Sequence, residues 1–572
     1  MISFNATAGR HGTCWRRERA LAHLPGPFFL LLTSAWNLWR RERALAHLPG
    51  PDHRGLFGGM DFINKKAVHR EATKLVNQYG PLFKLRILAF HAVVITDPVL
   101  ATAVLRSRDL DKMRFQYSFL DPFLGGANML TGPTDEHWRA VRKAVAPAFS
   151  ASSMREAFRQ VRERSQQLVA ILLEAGPGKA HNVDEMLLKE SMDVIGAPDC
   201  AGLISAPNRA GGDPGAAQNV QALLSSTKEI EMRLAQIFRW WRLWHRDVRQ
   251  GWLIISRFRA IVQTLLDHIQ AAPPTPGSFA DLLRRARDPR TGAALSSRQM
   301  FPEIAALFFA GIDTTGHTGT FVMYMISQHP AVAAKLAKEL EAAGLLVTPA
   351  RPCPRALEFA DLAQLPYLQA VIKETLRLYP PVAVGQIRCN ASKDVVLAGR
   401  LTLPRGTAVW VPHAALHMAA FNWPQPDAFL PERWLTEEGL LAPDIEYADP
   451  ALLALPPEWY SPADLAAVAG GSGGSTDGVA ASAAARPRRY MPFAEGPRNC
   501  VGQSLAKMSL AATIATLLQT FTFRLADEMG GPEGVRAQEH YSLVIGLSEG
   551  MLMHLDARPG VTCVAAAAAA CG

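Results

Sequence analysis

The chain has 572 residues, is 49% hydrophobic with 40 Pro and 43 Gly, and carries a formal net charge of +9. That composition supplies a sizeable core and excludes a wholly disordered chain. The basic excess is mostly Arg scattered among apolar residues, without a long Lys/Arg run or zinc-finger spacing; this excludes nucleic acid as the expected partner and leaves an anionic membrane surface or an acidic protein.

Residues 15–27 read WRRERALAHLPGP, and residues 39–51 repeat that string without a change. The apolar run between the copies, residues 28–39 (FFLLLTSAWNLW), is too short to span a bilayer alone, which takes about 20 residues. Arg40 and Arg41 follow it. Three readings stay open: a weak membrane anchor, part of an Arg-rich organelle transit peptide, or an extension without a role. Residues 1–50 are therefore set apart as an N-terminal extension, and no fold argument rests on them.

Regular patterning starts near residue 63. Residues 63–79 have helical spacing, 82–88 and 92–96 read as strands, and a helix follows Asp97-Pro98. From Glu136 to Arg388 the pattern is mostly helical, with loops at 205–217 and 271–278. The run 238–252 (FRWWRLWHRDVRQGW) interleaves Trp with Arg, which suits a bilayer interface or an ordinary amphipathic helix edge. Strand-like pieces return at 382–388, 395–401 and 407–411. Residues 452–486 are low in complexity and read as a flexible insertion. A long helix is expected from Val501 to about Phe523, then a hairpin over 542–558 turning at Ser548-Glu549-Gly550. A low-complexity tail occupies 564–572. The sum is a mainly α protein with small β-sheets, one large domain over residues 51–563.

Seven cysteines occur without a CxxC, so a disulfide framework is not expected and a reducing compartment is. One of them sits in a motif. Residues 493–502 read FAEGPRNCVG, with Phe493, Gly496, Arg498, Cys500 and Gly502 as the distinctive positions. Cys500 stands just before a predicted helix, whose free N–H groups and dipole favour a negative sulfur. Gly496 allows a turn that aims backbone N–H groups at that sulfur, and Gly502 permits close approach of a flat ligand. Arg498 suits pairing with an acid group of a ligand.

This loop resembles the signature of the cytochrome P-450 superfamily, the haem-thiolate monooxygenases. Further matches fall in the same order, so the resemblance covers roughly residues 50 to 560. Residues 310–315 (AGIDTT) lie in a long predicted helix, where a Thr hydroxyl can bond back to a carbonyl and loosen the turn beside Ala310 and Gly311. The resemblance makes Asp313 and Thr314 the acid-alcohol pair that delivers protons to the oxygen being activated. Glu374 and Arg377 form an ExxR pair on one helix face; with Arg433 of the later PERW they match the family's structural triad. Trp138, Arg142 and Arg388 match propionate contacts.

The resemblance implies a cytochrome P-450 fold and haem b (iron protoporphyrin IX), with Cys500 as axial iron ligand. It implies O2 as oxidant and a separate electron donor, an NADPH-dependent reductase or a ferredoxin, docking on the basic side near Cys500. A lipophilic substrate would be hydroxylated or epoxidised in a pocket lined by segments near 115–130, 305–312, 382–386 and 547–551. A membrane-associated location is expected, in the endoplasmic reticulum or a plastid. Two rivals remain: a same-fold isomerase or dehydratase acting on a peroxide, against which the Asp313-Thr314 pair argues, and a haem-binding protein without catalysis.

Overall fold

The computed structural model describes residues 36–51, 67–87, 90–200, 244–271, 274–390, 392–397, 399–468, 486–541 and 543–561, with a few more between 225 and 232. The helices that position the site are α1 (Val68–Tyr79), α2 (Pro98–Arg106), α3 (Glu136–Val145), α4 (Ala151–Ala175), α5 (Val183–Cys200), α6 (Arg246–Ala271), α7 (Ser297–Gln328), α8 (Pro366–Leu378) and α9 (Gln503–Thr520). Their starts are written locally. Asp97 caps α2 by accepting the Leu100 N–H at 2.9 Å, with Pro98 as first helical residue. Asp135 caps α3 through the Trp138 N–H at 2.8 Å, and Ser296 with Gln299 forms a capping box on α7.

The longest helix, α7, crosses the core and packs on α5, α6 and α9. Its face toward α5 is a row of glycines. A Cβ at Gly311, Gly316 or Gly319 would sit 2.6, 2.8 and 3.0 Å from side-chain atoms of Ile195, Leu188 and Leu187. Glycine there lets the two helices approach closely.

The strands are β1 (Leu82–Ile87), β2 (Phe90–Ile95), β3 (Asp111–Lys112), β4 (Ala180–Asn182), β5 (Gln386–Cys389), β6 (Val395–Leu397), β7 (Leu401–Leu403), β8 (Ala408–Val411), β9 (Phe521–Leu525), β10 (Glu539–Tyr541), β11 (Ile545–Leu547) and β12 (Leu552–Ala557). One sheet runs β1-β2-β8-β5-β3 and another β4-β12-β9, with hairpins β6-β7 and β10-β11. In the larger sheet, β3 pairs with β5 so that Lys112 stands opposite Arg388.

Several sequence expectations change. Residues 395–401 are not one strand: the chain reverses after Leu397, with Gly399 at φ 66°, and Val395 pairs with Leu403. The last long helix stops at Thr520, and Phe521–Leu525 leaves as β9 because its alternating burial fits a strand paired with β12. Residues 542–558 form no hairpin: β11 pairs back with β10, while β12 pairs with β9 and β4. Part of the low-complexity insertion is packed. Pro462–Val468 is helical, Tyr460 and Val468 are buried, and the Tyr460 hydroxyl donates to Asp97 at 2.7 Å.

The domain also begins earlier than residue 51. Residues 36–44 are helical, and Leu45 and Leu48 are buried among β1, β2, β7 and β8. The second copy of the duplicated string is therefore part of the fold. The first copy, residues 63–66 of the expected first helix, the loop at 205–217, residues 469–485 of the insertion and the tail at 564–572 lie outside the described residues. So do residues 238–243 of the Trp-rich run, whose remaining Trp244 and Trp252 are 76% and 37% exposed. Among the described residues, no helix is long and apolar enough to cross a membrane.

Candidate active site

A cavity of about 310 Å³ lies between the loop before α9 and the middle of α7. The loop forms its floor. The Cys500 N–H donates to the Phe493 carbonyl at 2.9 Å, closing the turn. Gly496 has φ 75°, and a Cβ on it would stand 2.5 Å from the Leu105 carbonyl oxygen, so glycine is required where the loop rests on the end of α2. Glu495 fixes the same loop by accepting from Arg106 at 3.0 Å and pairing with Arg488 at 3.3 Å. Phe493, Cys500 and Gly502 all face the cavity. A Cβ on Gly502 would make only ordinary contacts with Phe149 and the Cys500 sulfur, so its bareness is not demanded by protein neighbours.

Helix α9 starts at Gln503 rather than Val501, so Cys500 sits short of its first turn. Burial holds the Cys500 thiol above its ordinary value, while the Gly502 N–H and the cations Arg142, Lys112 and Lys507 pull it down. A metal cation on the sulfur would reverse that balance, because coordination deprotonates a thiol.

Cations line one wall. Arg498 stacks over Trp138 at 4.3 Å and donates to the Thr134 hydroxyl at 3.0 Å and the Gly132 carbonyl at 2.8 Å. Arg142 donates to Asn499 at 2.6 Å, and the Trp138 indole N–H donates to the Met129 carbonyl at 2.9 Å. The sequence reading missed Lys112, which lines the cavity and donates to the Leu130 carbonyl at 2.5 Å. A lone Lys near the start of a short strand carries no motif; only its pairing opposite Arg388 brings it to the site.

Arg388 itself stands behind this wall rather than in it. It is 1% exposed, and its Nε and one terminal nitrogen have no hydrogen-bond partner. Burial, then the neighbouring guanidiniums of Arg498 and Arg388, pushes the Lys112 ammonium far below its usual range. Arg498 is pushed down to about 10, mainly by burial, with Arg388 and Arg142 adding to the fall against Asp111 and Tyr117. A cluster of cations short of anions, with orphaned guanidinium nitrogens, fits a ligand bearing acid groups.

The opposite wall is α7. Ala306, Leu307, Ala310, Gly311 and Thr314 face the cavity. The Thr314 hydroxyl donates back to the Ala310 carbonyl at 2.8 Å, as the sequence suggested, and Thr318 does the same to Thr314 at 2.6 Å. Gly311 serves the contact with Ile195 of α5 as well as leaving space. Asp313 is buried, but it does not line the cavity.

Two further acids face the cavity and carry no sequence signal. Glu303 on α7 accepts the Met129 N–H at 2.9 Å, and Glu190 on α5 accepts from Ser165 at 2.5 Å and Thr513 at 2.9 Å. Burial pushes both carboxyls up to about 7. Three expected lining segments do reach the cavity, through residues such as Leu120, Phe309 and Val382. The fourth, 547–551, does not. Its turn packs on Asn182, and Leu543 and Val544 line the cavity instead.

Behind the floor, Glu374 and Arg377 are fully buried and pair through two bonds of 2.8 and 2.9 Å. Arg433 donates to Glu374 at 3.0 Å, and so does the Trp434 indole at 2.9 Å. Arg377 also donates to the carbonyls of Pro426 and Ala428 at 2.7 and 2.9 Å. The triad is thus a closed knot that holds the segment 417–434, away from the reacting space.

A flat macrocycle with two acid groups and a metal for the sulfur fits these walls, which places the protein in the haem-thiolate class. The family model described as Cytochrome P450 matches residues 48–536, and the chain belongs to that family. It is similar to cytochrome P450 3A12 of Canis lupus familiaris, 26% identical over 81% of this chain and 83% of that protein. It is likewise similar to cytochrome P450 3A29 of Sus scrofa, 26% identical over 81% and 83%, and to cytochrome P450 3A9 of Rattus norvegicus, 25% identical over 79% and 80%. The protein is accordingly a haem-dependent monooxygenase, an oxidoreductase that uses O2, a reductase and a lipophilic substrate.

Proposed function

We propose that this chain binds haem b with Cys500 as axial iron ligand, and oxidises a lipophilic molecule at carbon, by hydroxylation or epoxidation. The carrying observation is the convergence of Lys112, Arg142 and Arg498 beside a cavity floored by Cys500 and faced by Thr314. Bound there, haem supplies the redox chemistry that reduces O2 and places one of its oxygen atoms on the substrate.

The chain's own residues do the rest. Lys112, Arg142 and Arg498 would hold the propionates of a bound haem, with Trp138 stacked on Arg498 and Arg388 adding charge from behind. Phe493 and Gly502 leave a flat surface near the sulfur. The Thr314 hydroxyl holds a proton beside the space where O2 reacts. Asp313, on another face of α7, passes protons inward rather than touching the oxygen. Glu374, Arg377 and Arg433 keep the floor rigid and take no part in the chemistry. Electrons come from an NADPH-dependent reductase or a ferredoxin. Exposed Trp244, Trp252 and Leu253 support contact with a membrane surface, and the endoplasmic reticulum is the membrane we assign. The relatives reported are animal proteins, which gives the plastid alternative no support.

The test is spectral and then catalytic. Reduced, haem-loaded protein exposed to carbon monoxide should give the strongly red-shifted band of thiolate ligation, and Cys500→His should lose it. With a reductase, NADPH and O2, a panel of lipophilic compounds should yield an oxygenated product. Thr314→Ala should consume NADPH while releasing more peroxide and less product; unchanged coupling removes Thr314 from its role. Turnover of lipid hydroperoxides alone, without O2 uptake, would establish the isomerase reading instead.

A further inference from the structure

The second copy of the duplicated string is docked on this protein's own surface. In the second copy, Leu45 and Leu48 are buried beside β1, β2, β7 and β8. Arg40 pairs with Asp394, Arg41 donates to the Arg405 carbonyl at 3.1 Å, and Glu42 meets His91 at 2.5 Å. The backbone joins as well: the Lys84 N–H donates to the Pro49 carbonyl at 2.8 Å, and the Lys84 ammonium to the Ala46 carbonyl at 3.3 Å. Gly50 passes so close that a Cβ would stand 2.2 Å from the Lys84 carbonyl oxygen.

Every one of these groups belongs to residues 39–51, and residues 15–27 carry the same residue at each place: Arg16, Arg17, Glu18, Leu21, Leu24 and Gly26 match the side chains and the glycine named. We propose that residues 15–27 are an alternative occupant of this docking site, exchanging with residues 39–51. Contacts made by the string itself cannot discriminate the copies; chain connectivity does, helped by Trp36, which stacks on Trp39 at 4.8 Å and whose counterpart ahead of the first copy is Gly12. Docking the first copy brings position 27 to where position 51 now sits, so residues 28–51 become a loop with both ends at one place. Closing such a loop of 24 residues costs a factor of about 300 in population. The second copy therefore dominates, and the first is a reserve. The exchange changes how the apolar run 28–39 is attached, from an arm held at one end to a loop held at both.

The test compares L45D/L48D in the full chain and in a chain lacking residues 15–38, which retains a single copy. In the full chain the first copy takes over, so the penalty is capped at that factor of about 300; the single-copy chain has no such ceiling. Circular dichroism should show L45D/L48D lowering the melting temperature clearly less in the full chain than in the single-copy chain, each measured against its own parent with Leu45 and Leu48 intact. A photoreactive residue at position 84 should cross-link residues 39–51 in the parent and residues 15–27 in the full-length variant. Equal destabilisation in both chains, including failure of both to fold, overturns the exchange. So does a cross-link that stays on residues 39–51, or one that forms only between two molecules in a concentration-dependent dimer.

Discussion

Replacing Glu303 by Gln should make the protein more stable at neutral and alkaline pH and change it little in acid. Glu303 is 2% exposed, and burial raises its carboxyl from 4.5 to about 7 against the pull of the Met129 N–H and Arg498. Because the folded state binds this proton more tightly than the unfolded chain, the stability it contributes is intact below pH 4.5. It is lost as pH rises through 7. A raise of that size corresponds to roughly 3 kcal/mol at pH 8 and under about 1 kcal/mol at pH 5. Glutamine keeps an oxygen to accept the Met129 N–H, so the change removes the ionisation and little else. Urea unfolding of the haem-loaded parent and E303Q, followed by circular dichroism from pH 5 to 8, measures the gap between them. A gap that stays flat across this range, or a gain confined to acid, would refute the account of a desolvated carboxyl.

Glu374→Ala should leave Arg377 and Arg433 without their common partner, and such loss of one member of a buried ion network costs about 3–5 kcal/mol; little soluble holoprotein and a fall in Tm are expected. Gly496→Ala places a Cβ 2.5 Å from the Leu105 carbonyl at a φ of 75°. It should lower Tm and haem retention, whereas Gly439→Ala, with open space around it, should show backbone strain alone. Lys112→Met removes one of the cavity-facing cations while keeping the stem. Haem transfer to apomyoglobin should speed up several-fold, and a rate equal to the parent's would remove Lys112 from the site.

The sequence by itself determined the local motifs from which the candidate positions are read. Cys500 with Phe493, Gly496, Arg498 and Gly502 is a local motif, and so are the Ala310–Thr314 stretch and the Glu374/Arg377 pair, because one loop or one helix face sets their geometry. The mainly helical pattern was legible for the same reason, since apolar periodicity is a local property. What the tertiary structure decided are pairings between distant segments. Lys112 became a site residue only through its register opposite Arg388, and Trp434 joined the triad only because residues 417–434 fold over α8. Glu190 and Glu303 became perturbed acids only by burial against partners far along the chain. The strands at 545–547 and 552–557 went to different sheets, and the second copy of the duplicated string joined the core, because strand partners and exposed apolar faces are chosen in three dimensions. No window of neighbouring residues contains that choice.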